Sequence, residues 1–211
     1  MADIIYTYHN SVYFNITNKC PCRCVFCIRD KVDAIGEAEN LFHETEPTLN
    51  EIKKAVDAYD FSGKDTAVFC GYGEPTNAFG NLIATAEYLK EKIPALKLRL
   101  NTNGLSDLIH GRPTAAKLKG LVDTVSISLN TPDPEEYLKI CRPKFGIGSW
   151  QAMLDFAASC KEYVPDVVMT IVGEPVTTPE VQAKCTNSRR ACHAGTPSSR
   201  AFTKYSTAFT S

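Results

Sequence analysis

Four cysteines lie within eight residues near the start of the chain, in the stretch CPCRCVFC. Cys20, Cys24 and Cys27 have the spacing C-x3-C-x2-C, and Cys22 is an additional thiol between the first two. A tetrahedral zinc site usually combines two pairs of ligands from separate segments, and no second pair follows downstream. Three thiolates from one loop instead suit three corners of an iron–sulfur cubane, which leaves the fourth iron without a protein ligand. The loop therefore favours a cluster, with a zinc or bare redox site as the alternative.

The other cysteines do not indicate a disulfide framework. The chain has nine cysteines, an odd number, and its first ten residues lack the basic region and apolar segment of a signal peptide. No apolar run approaches the roughly 20 residues that span a bilayer. We therefore expect a cytoplasmic protein with reduced thiols and no membrane partner. Cys22 is expected to face solvent or to be a poor alternative ligand, Cys70 and Cys160 to be buried, and Cys141 has no neighbouring base that would activate it.

Composition predicts one globular domain and gives no sign of a nucleic-acid-binding surface. The chain has 211 residues, of which 44% are hydrophobic, and a formal net charge of −1. The last 27 residues, 185–211, contain no Leu, Ile, Val, Asp or Glu and carry four Lys or Arg. Residues 1–184 therefore have 19 basic and 24 acidic side chains, a net charge of −5. We expect a domain at 1–184 and an atypical tail at 185–211, which is either disordered or the frameshifted or truncated end of the domain.

The elements that must position the cysteines alternate between strands and helices. A hairpin is expected in IIYTYHNSVYFNIT, and Thr48 with Glu51 forms a capping box at the start of a helix. Four further strands are expected in TAVFC, LKLRL, DTVSIS and PDVVMTIV, with helices in NLIATAEYLKEKI, TAAKLKGL, DPEEYLKI, SWQAMLDFAASCKEY and TPEVQAKC. Strands that alternate with helices predict a parallel sheet. We count five strands in this series and find no convincing sixth.

Four polar or glycine-rich segments follow successive predicted strands. They are the cysteine loop, GYGEPT, NTNG and SLN. Ligands of parallel α/β folds bind at the carboxyl ends of the strands, so these segments should face one another around a single site. Each segment alone could be an ordinary turn, and their shared position is the stronger signal.

At this point the sequence resembles a known family. The CPCRCVFC stretch, followed by a strand that ends in Gly-Glu-Pro, resembles the radical S-adenosylmethionine (radical SAM) superfamily over about residues 12–184. More narrowly, ITNKCPCRCVFCIRD, EPT before a helix, GYGEPT, LRLNTNG and SLNTPD resemble the group named for its association with TatD nucleases. The resemblance implies a partial (β/α)6 TIM-like barrel, and the tail suggests that its last β/α unit is missing or disrupted.

The same resemblance implies the cofactors and the chemistry. A [4Fe–4S] cluster would be held by Cys20, Cys24 and Cys27, and S-adenosylmethionine would chelate the open iron. One-electron cleavage then gives a 5′-deoxyadenosyl radical, which abstracts hydrogen from a substrate. Tyr72 stands where the usual motif has the first glycine of Gly-Gly-Glu-Pro. The cofactor-binding positions implied by the resemblance are Phe26, Tyr72, Gly73, Glu74, Thr102, Asn103, Ser128 and Asn130, with Val172 and Gly173 as weaker candidates behind the adenine.

The resemblance also implies partners, and two other functions compete with it. The resemblance implies an electron donor such as flavodoxin or ferredoxin and suggests a functional link to a TatD-type nuclease. No second group of cysteines is present to bind an auxiliary cluster. Alternatives are a glycyl-radical-type activase that acts on a partner protein, and a non-catalytic zinc-binding or redox-sensing protein. A zinc-binding or redox-sensing function would not explain why GYGEPT, NTNG and SLN follow three successive strands.

Overall fold

A six-stranded sheet organises the chain. The computed structural model describes residues 2–173 together with 178, 180, 181 and 183. The strand order is β1-β2-β3-β4-β5-β6, with β1 antiparallel to β2 and every later pairing parallel. The strands are β1 (Ile5–Tyr8), β2 (Ser11–Phe14), β3 (Thr66–Phe69), β4 (Lys97–Thr102), β5 (Thr124–Ser128) and β6 (Asp166–Thr170). The predicted hairpin and the five-strand parallel series are confirmed.

Five α-helices accompany the sheet. They are α1 (Leu49–Ala58), α2 (Phe79–Lys92), α3 (Ser106–His110), α4 (Pro134–Cys141) and α5 (Gly148–Cys160). At α1, Glu51 N donates to Thr48 Oγ1 and Thr48 N donates to Glu51 Oε2, so the predicted capping box is confirmed. At α4, Asp133 Oδ1 accepts from Glu136 N at 2.7 Å. These local caps mark the first turns of α1 and α4.

The structure differs from the sequence prediction at two places, and a third prediction lies partly outside the described residues. The stretch TAAKLKGL forms only a short 3₁₀ turn, Ala115–Leu118, because Gly120 follows within two residues and takes a left-handed conformation. The short helix α3 was not predicted from the sequence. Of the predicted helix in TPEVQAKC, Glu180, Val181 and Ala183 are helical and Thr178 is not, and residues 179, 182, 184 and 185 lie outside the described residues. The tail from residue 185 also lies outside them, so the domain boundary stays a prediction.

The core lies between the sheet and the helices. Leu98, Leu100, Val125 and Ile127 of the central strands are fully buried. The predicted apolar face of α5 packs against them, and its members are all buried: Met153, Phe156, Ala157 and Cys160. Burying one such aliphatic or aromatic side chain stabilises the fold by about 1.5–3 kcal/mol. Within the described ranges, no helix combines the length and the apolar composition needed to cross a membrane.

Asp123 links the amino ends of β4 and β5. Its carboxylate accepts hydrogen bonds from Lys90 Nζ (2.8 Å), Leu98 N (2.8 Å) and Lys97 Nζ (3.3 Å). Partial burial by itself raises the pKa of Asp123, but these donors outweigh it and hold the pKa below its usual value. A carboxyl with a lowered folded-state pKa stabilises the fold above its unfolded pKa, and this stabilisation is lost as the pH falls through the folded value.

Asp123→Asn should therefore destabilise the protein in a pH-dependent way. We expect the free energy of unfolding to fall by about 1–2 kcal/mol at pH 7, because a charge-assisted hydrogen bond and an ion pair are weakened. The difference from wild type should shrink as the pH falls below about 4, where the wild-type carboxyl is protonated. Denaturant unfolding at pH 7 and pH 3 measures it. An equal loss at both pH values would show that the charge of Asp123 contributes nothing.

Candidate active site

The polar segments after β2, β3 and β4 meet at one edge of the sheet. Glu74 N donates to Lys19 O at 2.8 Å, which joins the segment after β3 to the cysteine loop. Thr102 Oγ1, at the end of β4, donates to Glu74 Oε1 at 2.7 Å. Asn103 Nδ2 points at the sulfur of Cys22, 3.7 Å away. The convergence that the sequence predicted is therefore present, with direct hydrogen bonds between neighbouring segments.

The cysteine loop is also held from a part of the chain that sequence reasoning missed. Val25 N donates to Ile140 O at 2.9 Å, and Arg23 N donates to Cys141 O at 3.1 Å. The C-terminal end of α4 thus forms main-chain hydrogen bonds with the loop from well over 100 residues away. No local sequence pattern signals a pairing at that separation. These bonds fix the backbone on which the thiols are presented.

Cys22 does not face solvent, so that expectation is wrong. Its side chain is 4% exposed, whereas Cys20, Cys24 and Cys27 are each partly exposed. The extended loop backbone beside α4 turns alternate residues inward, and Cys22 is one of the inward residues. Hydrogen bonds to Cys20 and then Cys24, together with burial, raise the pKa of Cys22, so it stays a thiol between its neighbours. Cys70, expected to be buried, is partly exposed.

The three thiols of the C-x3-C-x2-C pattern have different pKa values. Hydrogen bonds from Cys141 and then Cys22 lower the pKa of Cys24 to about 4. A hydrogen bond from Cys22 lowers the pKa of Cys20, whereas burial raises that of Cys27. When protonated, Cys24 Sγ can instead donate to Cys141 O, 3.6 Å away. Because thiolates bind metals, the lowered pKa values of Cys20 and Cys24 favour the form that a metal requires.

A zinc ion and a cluster require different arrangements of their sulfur ligands. A zinc ion needs its sulfur ligands within about 2.3 Å of one point. A cubane binds each cysteine to a different iron, so its thiolates need not converge on one metal ion. Among the described residues, no group of three or more Cys, His, Asp or Glu side chains is arranged around one such point.

Glu74 ties the ends of β3 and β4 together. The side chain is 4% exposed, and its carboxylate accepts from Thr76 N, Thr76 Oγ1, Thr102 Oγ1 and Asn103 N at 2.7–3.1 Å. Burial raises the pKa of Glu74, and these four donors act against that rise. Thr102 Oγ1 also accepts from Gly104 N at 3.1 Å. The side chains of Glu74 and Thr102 are thus used within the protein, where they hold two strand ends in register.

Tyr72 and Gly73 have separate structural roles. The Tyr72 ring packs edge-on against Phe42 with ring centres 4.9 Å apart, and its hydroxyl donates to Val32 O. The Tyr72 side chain therefore packs against the loop that follows the cysteines, which contains Val32 and Phe42. Gly73 lies against the backbone of the cysteine loop, and a Cβ at this position would lie 2.2 Å from Thr17 O. Only glycine permits this close approach, which explains why the second glycine of the motif is present although the first is not.

Asn130 carries a buried hydrogen-bond acceptor at the end of β5. It is 3% exposed and takes a left-handed φ of 60°, a conformation that asparagine adopts more readily than most residues other than glycine. Its Nδ2 donates to Cys141 Sγ at 3.4 Å, whereas its buried Oδ1 has no hydrogen-bond partner. Ser128 ends β5 and is partly exposed, and the partly buried Phe26 packs against the main core. Val172 and Gly173 follow β6 at the same edge of the sheet.

Comparison with solved structures shows the fold. The [FeFe]-hydrogenase maturase HydG matches at 15% identity with a TM-score of 0.60, covering 88% of this chain and 39% of that one. A radical SAM methyltransferase from Sphaerobacter thermophilus matches at 15% identity with a TM-score of 0.59, covering 90% and 55%. Methylornithine synthase (PylB) matches at 15% identity with a TM-score of 0.54, covering 84% and 50%. The chain thus spans about half the length, or less, of these structures.

Comparison with protein families identifies the superfamily. A search of curated proteins finds no match. The model of the Radical SAM superfamily matches residues 14–183, which include the cysteine loop and every strand end described above. The enzymes of this superfamily use a [4Fe–4S] cluster and S-adenosylmethionine as cofactors. The chain belongs to the radical SAM superfamily.

Proposed function

We propose that this chain is a radical SAM enzyme that holds its [4Fe–4S] cluster through Cys20, Cys24 and Cys27. The observation that carries the proposal is the position of these partly exposed thiols, on a loop that faces the polar ends of β3, β4 and β5. When bound, the cofactors supply one-electron cleavage of a carbon–sulfur bond and abstraction of hydrogen from a substrate. The residues that contact the substrate are not assigned.

The donor set and its surroundings fit these cofactors. Three soft thiol ligands lie on one loop, and two of them have lowered pKa values. The unpartnered Asn130 Oδ1 is a buried acceptor that a hydroxyl or an ammonium group could satisfy. Close backbone packing at Gly73 holds the end of β3 against the segment that leads into the cysteine loop. The thiols and the buried acceptor suit a polar ligand placed between the cysteine loop and the strand ends.

The other positions implied by the resemblance divide into those that would contact S-adenosylmethionine and those that hold the strand ends in place. The backbone carbonyls of Tyr72, Gly73 and Glu74 would accept from the amino group of S-adenosylmethionine, and Tyr72 O also accepts from Arg29 Nη1 at 3.4 Å. Glu74 and Thr102 keep the ends of β3 and β4 in register, and Asn103 orients its amide toward the sulfurs of Cys20 and Cys22. The other binding positions for the adenosine and the carboxylate are Phe26, Ser128, Asn130, Val172 and Gly173.

Several finer assignments belong to the same proposal. The motif GYGEPT and its companions support the TatD-associated group, and with it a substrate related to nucleic-acid metabolism. The reductant is a flavodoxin or a ferredoxin, and the compartment is the cytoplasm. Residues 1–184 form the catalytic domain.

One observation supports a second candidate. Cys22 is buried within hydrogen-bonding reach of Cys20 and Cys24, which gives the loop a fourth thiol that a zinc-binding or redox-sensing protein could use. Such a site would require Cys22 as a ligand, whereas the three-ligand cluster does not.

Cys22→Ala separates the two candidates. After anaerobic reconstitution with iron and sulfide, we expect this variant to keep about four irons per chain, because the cluster needs only the other three cysteines. A modest loss of stability, about 1–2 kcal/mol, should follow from the small cavity left behind. Iron, sulfide and zinc analysis measures the outcome. Loss of most of the metal from Cys22→Ala, or zinc bound in place of iron, would favour the second candidate.

A further inference from the structure

The outer side of the cysteine loop carries a group of positive charges. An antiparallel bridge pairs Cys22 with Pro143, and Arg23 N donates to Arg142 O at 3.3 Å in the same register. Burial alternates along both segments, so that Cys22, Cys141 and Pro143 point inward. The residues between them are exposed, and we call them the cationic face: Arg23, Val25, Arg142 and Lys144.

Positive charge exceeds negative charge around this face. Residues 19–30 and 135–147 together contain six Lys or Arg and three Asp or Glu, and two of the six cations are paired, Arg29 with Asp30 and Lys139 with Glu136. None of the ion pairs among the described residues involves Arg23, Arg142 or Lys144. A local excess of positive charge on an otherwise slightly acidic chain creates a field that attracts an anionic partner.

Arg142 occupies its position at a structural cost. It follows the last residue of α4 with a φ of 46°, a left-handed conformation for which glycine is the preferred residue. It also lies opposite Arg23 in the bridge register, and like charges placed opposite one another are destabilising. A glycine would relieve both effects. An unfavourable residue kept at an exposed position is a reason to look for a function there.

The cationic face lies next to a proposed cluster ligand. Arg142 follows Cys141, whose carbonyl oxygen is 3.6 Å from Cys24 Sγ, and Val25 follows Cys24 directly. We propose that this face docks a small acidic electron-transfer protein, an inference that rests on the proposed function. The reduced partner loses one electron, and the oxidised cluster gains it. The electron then enters the chain beside Cys24, on the side away from the strand ends.

The apolar residues around the face favour a protein over a nucleic acid. Val25 and Ile147 are each 51% exposed, and Leu138 is 36% exposed. These three side chains are aliphatic. The aromatic Phe145 nearby is partly buried, and Lys144 Nζ lies 4.8 Å from its ring centre. Single-stranded nucleic acids bind by stacking bases on exposed aromatic rings, whereas protein interfaces combine apolar contacts with a charged rim.

The test compares reduction of the reconstituted chain by flavodoxin with reduction by dithionite, which needs no docking. For the double variant Arg23→Glu with Arg142→Glu, we expect the stopped-flow rate with flavodoxin to fall about tenfold or more at low salt. The difference should shrink as salt screens the charges. Iron content and the extent of reduction by dithionite should be unchanged. Calorimetric titration of flavodoxin into each variant should show a matching loss of affinity, with or without a cluster.

Two further variants separate docking from folding. Lys117→Glu with Lys119→Glu makes the same charge change on the segment that leads into the amino end of β5, and should leave rate and affinity unchanged. Arg142→Gly should raise the melting temperature by about 2–4 °C, because strain is relieved, yet slow reduction by flavodoxin.

Equal rates and affinities for wild type and the double variant would overturn the proposal. Displacement of flavodoxin by a single-stranded oligonucleotide at physiological salt would also overturn it. A chain that dithionite cannot reduce would instead contradict the proposed function.

Discussion

Cys24→Ala should lower the iron content of the reconstituted protein from about four atoms per chain to less than one. Cys24 is the central ligand of the three, and hydrogen bonds from Cys141 and Cys22 lower the pKa of its thiol. A cubane left with two protein ligands has two open irons and is readily lost. Iron and sulfide analysis with the visible absorption spectrum measures this change.

A matched cysteine provides the control. Cys160 on α5 is fully buried in the core, far along the chain from the loop. Cys160→Ala should reduce the free energy of unfolding by about 1 kcal/mol and leave the iron content unchanged. Full iron content in Cys24→Ala would mean that another residue completes the cluster, and the ligand assignment would be wrong.

Gly73→Ala should disrupt the site without touching a cysteine. The added Cβ would lie 2.2 Å from Thr17 O and within 2.9 Å of the carbonyl carbons of Thr17 and Asn18. These are backbone atoms, so no side-chain rotation can relieve the clash. We expect a loss of about 3 kcal/mol or more in the free energy of unfolding, because the loop must move away from β3. Affinity for S-adenosylmethionine should fall as well, since the same movement separates the two segments that would hold it.

Gly80 on α2 is the matched control for this substitution. A Cβ there would meet no atom within 4 Å, so Gly80→Ala should be neutral or stabilise the protein by about 0.5–1 kcal/mol. Denaturant unfolding and equilibrium binding of S-adenosylmethionine compare the pair. Equal stability of the two alanine variants would show that the close approach at Gly73 is not required.

The sequence predicts the features that depend on local patterns. The capping box at Thr48 and Glu51 and the apolar face of α5 are set by residues a few positions apart, and both are confirmed. The meeting of four segments at one sheet edge could also be predicted, because parallel strands place their carboxyl ends together. The observed order, with β2, β3, β4 and β5 as parallel neighbours, places the four segments side by side.

The features that the sequence does not predict depend on distant contacts. Cys22 is buried because the loop pairs with residues beyond α4, and no local pattern reports such a pairing. For the same reason the Cys24 contact with Cys141 could not be foreseen. The carboxylate of Glu74 is another example, because its bonds to Thr102 and Asn103 depend on the spacing of two strands.

Formation of 5′-deoxyadenosine tests the central claim most directly. The protein is reconstituted anaerobically with iron and sulfide, reduced with dithionite and incubated with S-adenosylmethionine, with Cys24→Ala treated in parallel. We predict that the wild-type chain forms 5′-deoxyadenosine and that Cys24→Ala forms none above the reagent background. A wild-type chain that holds about four irons as a reducible cluster but forms no 5′-deoxyadenosine would contradict the assignment.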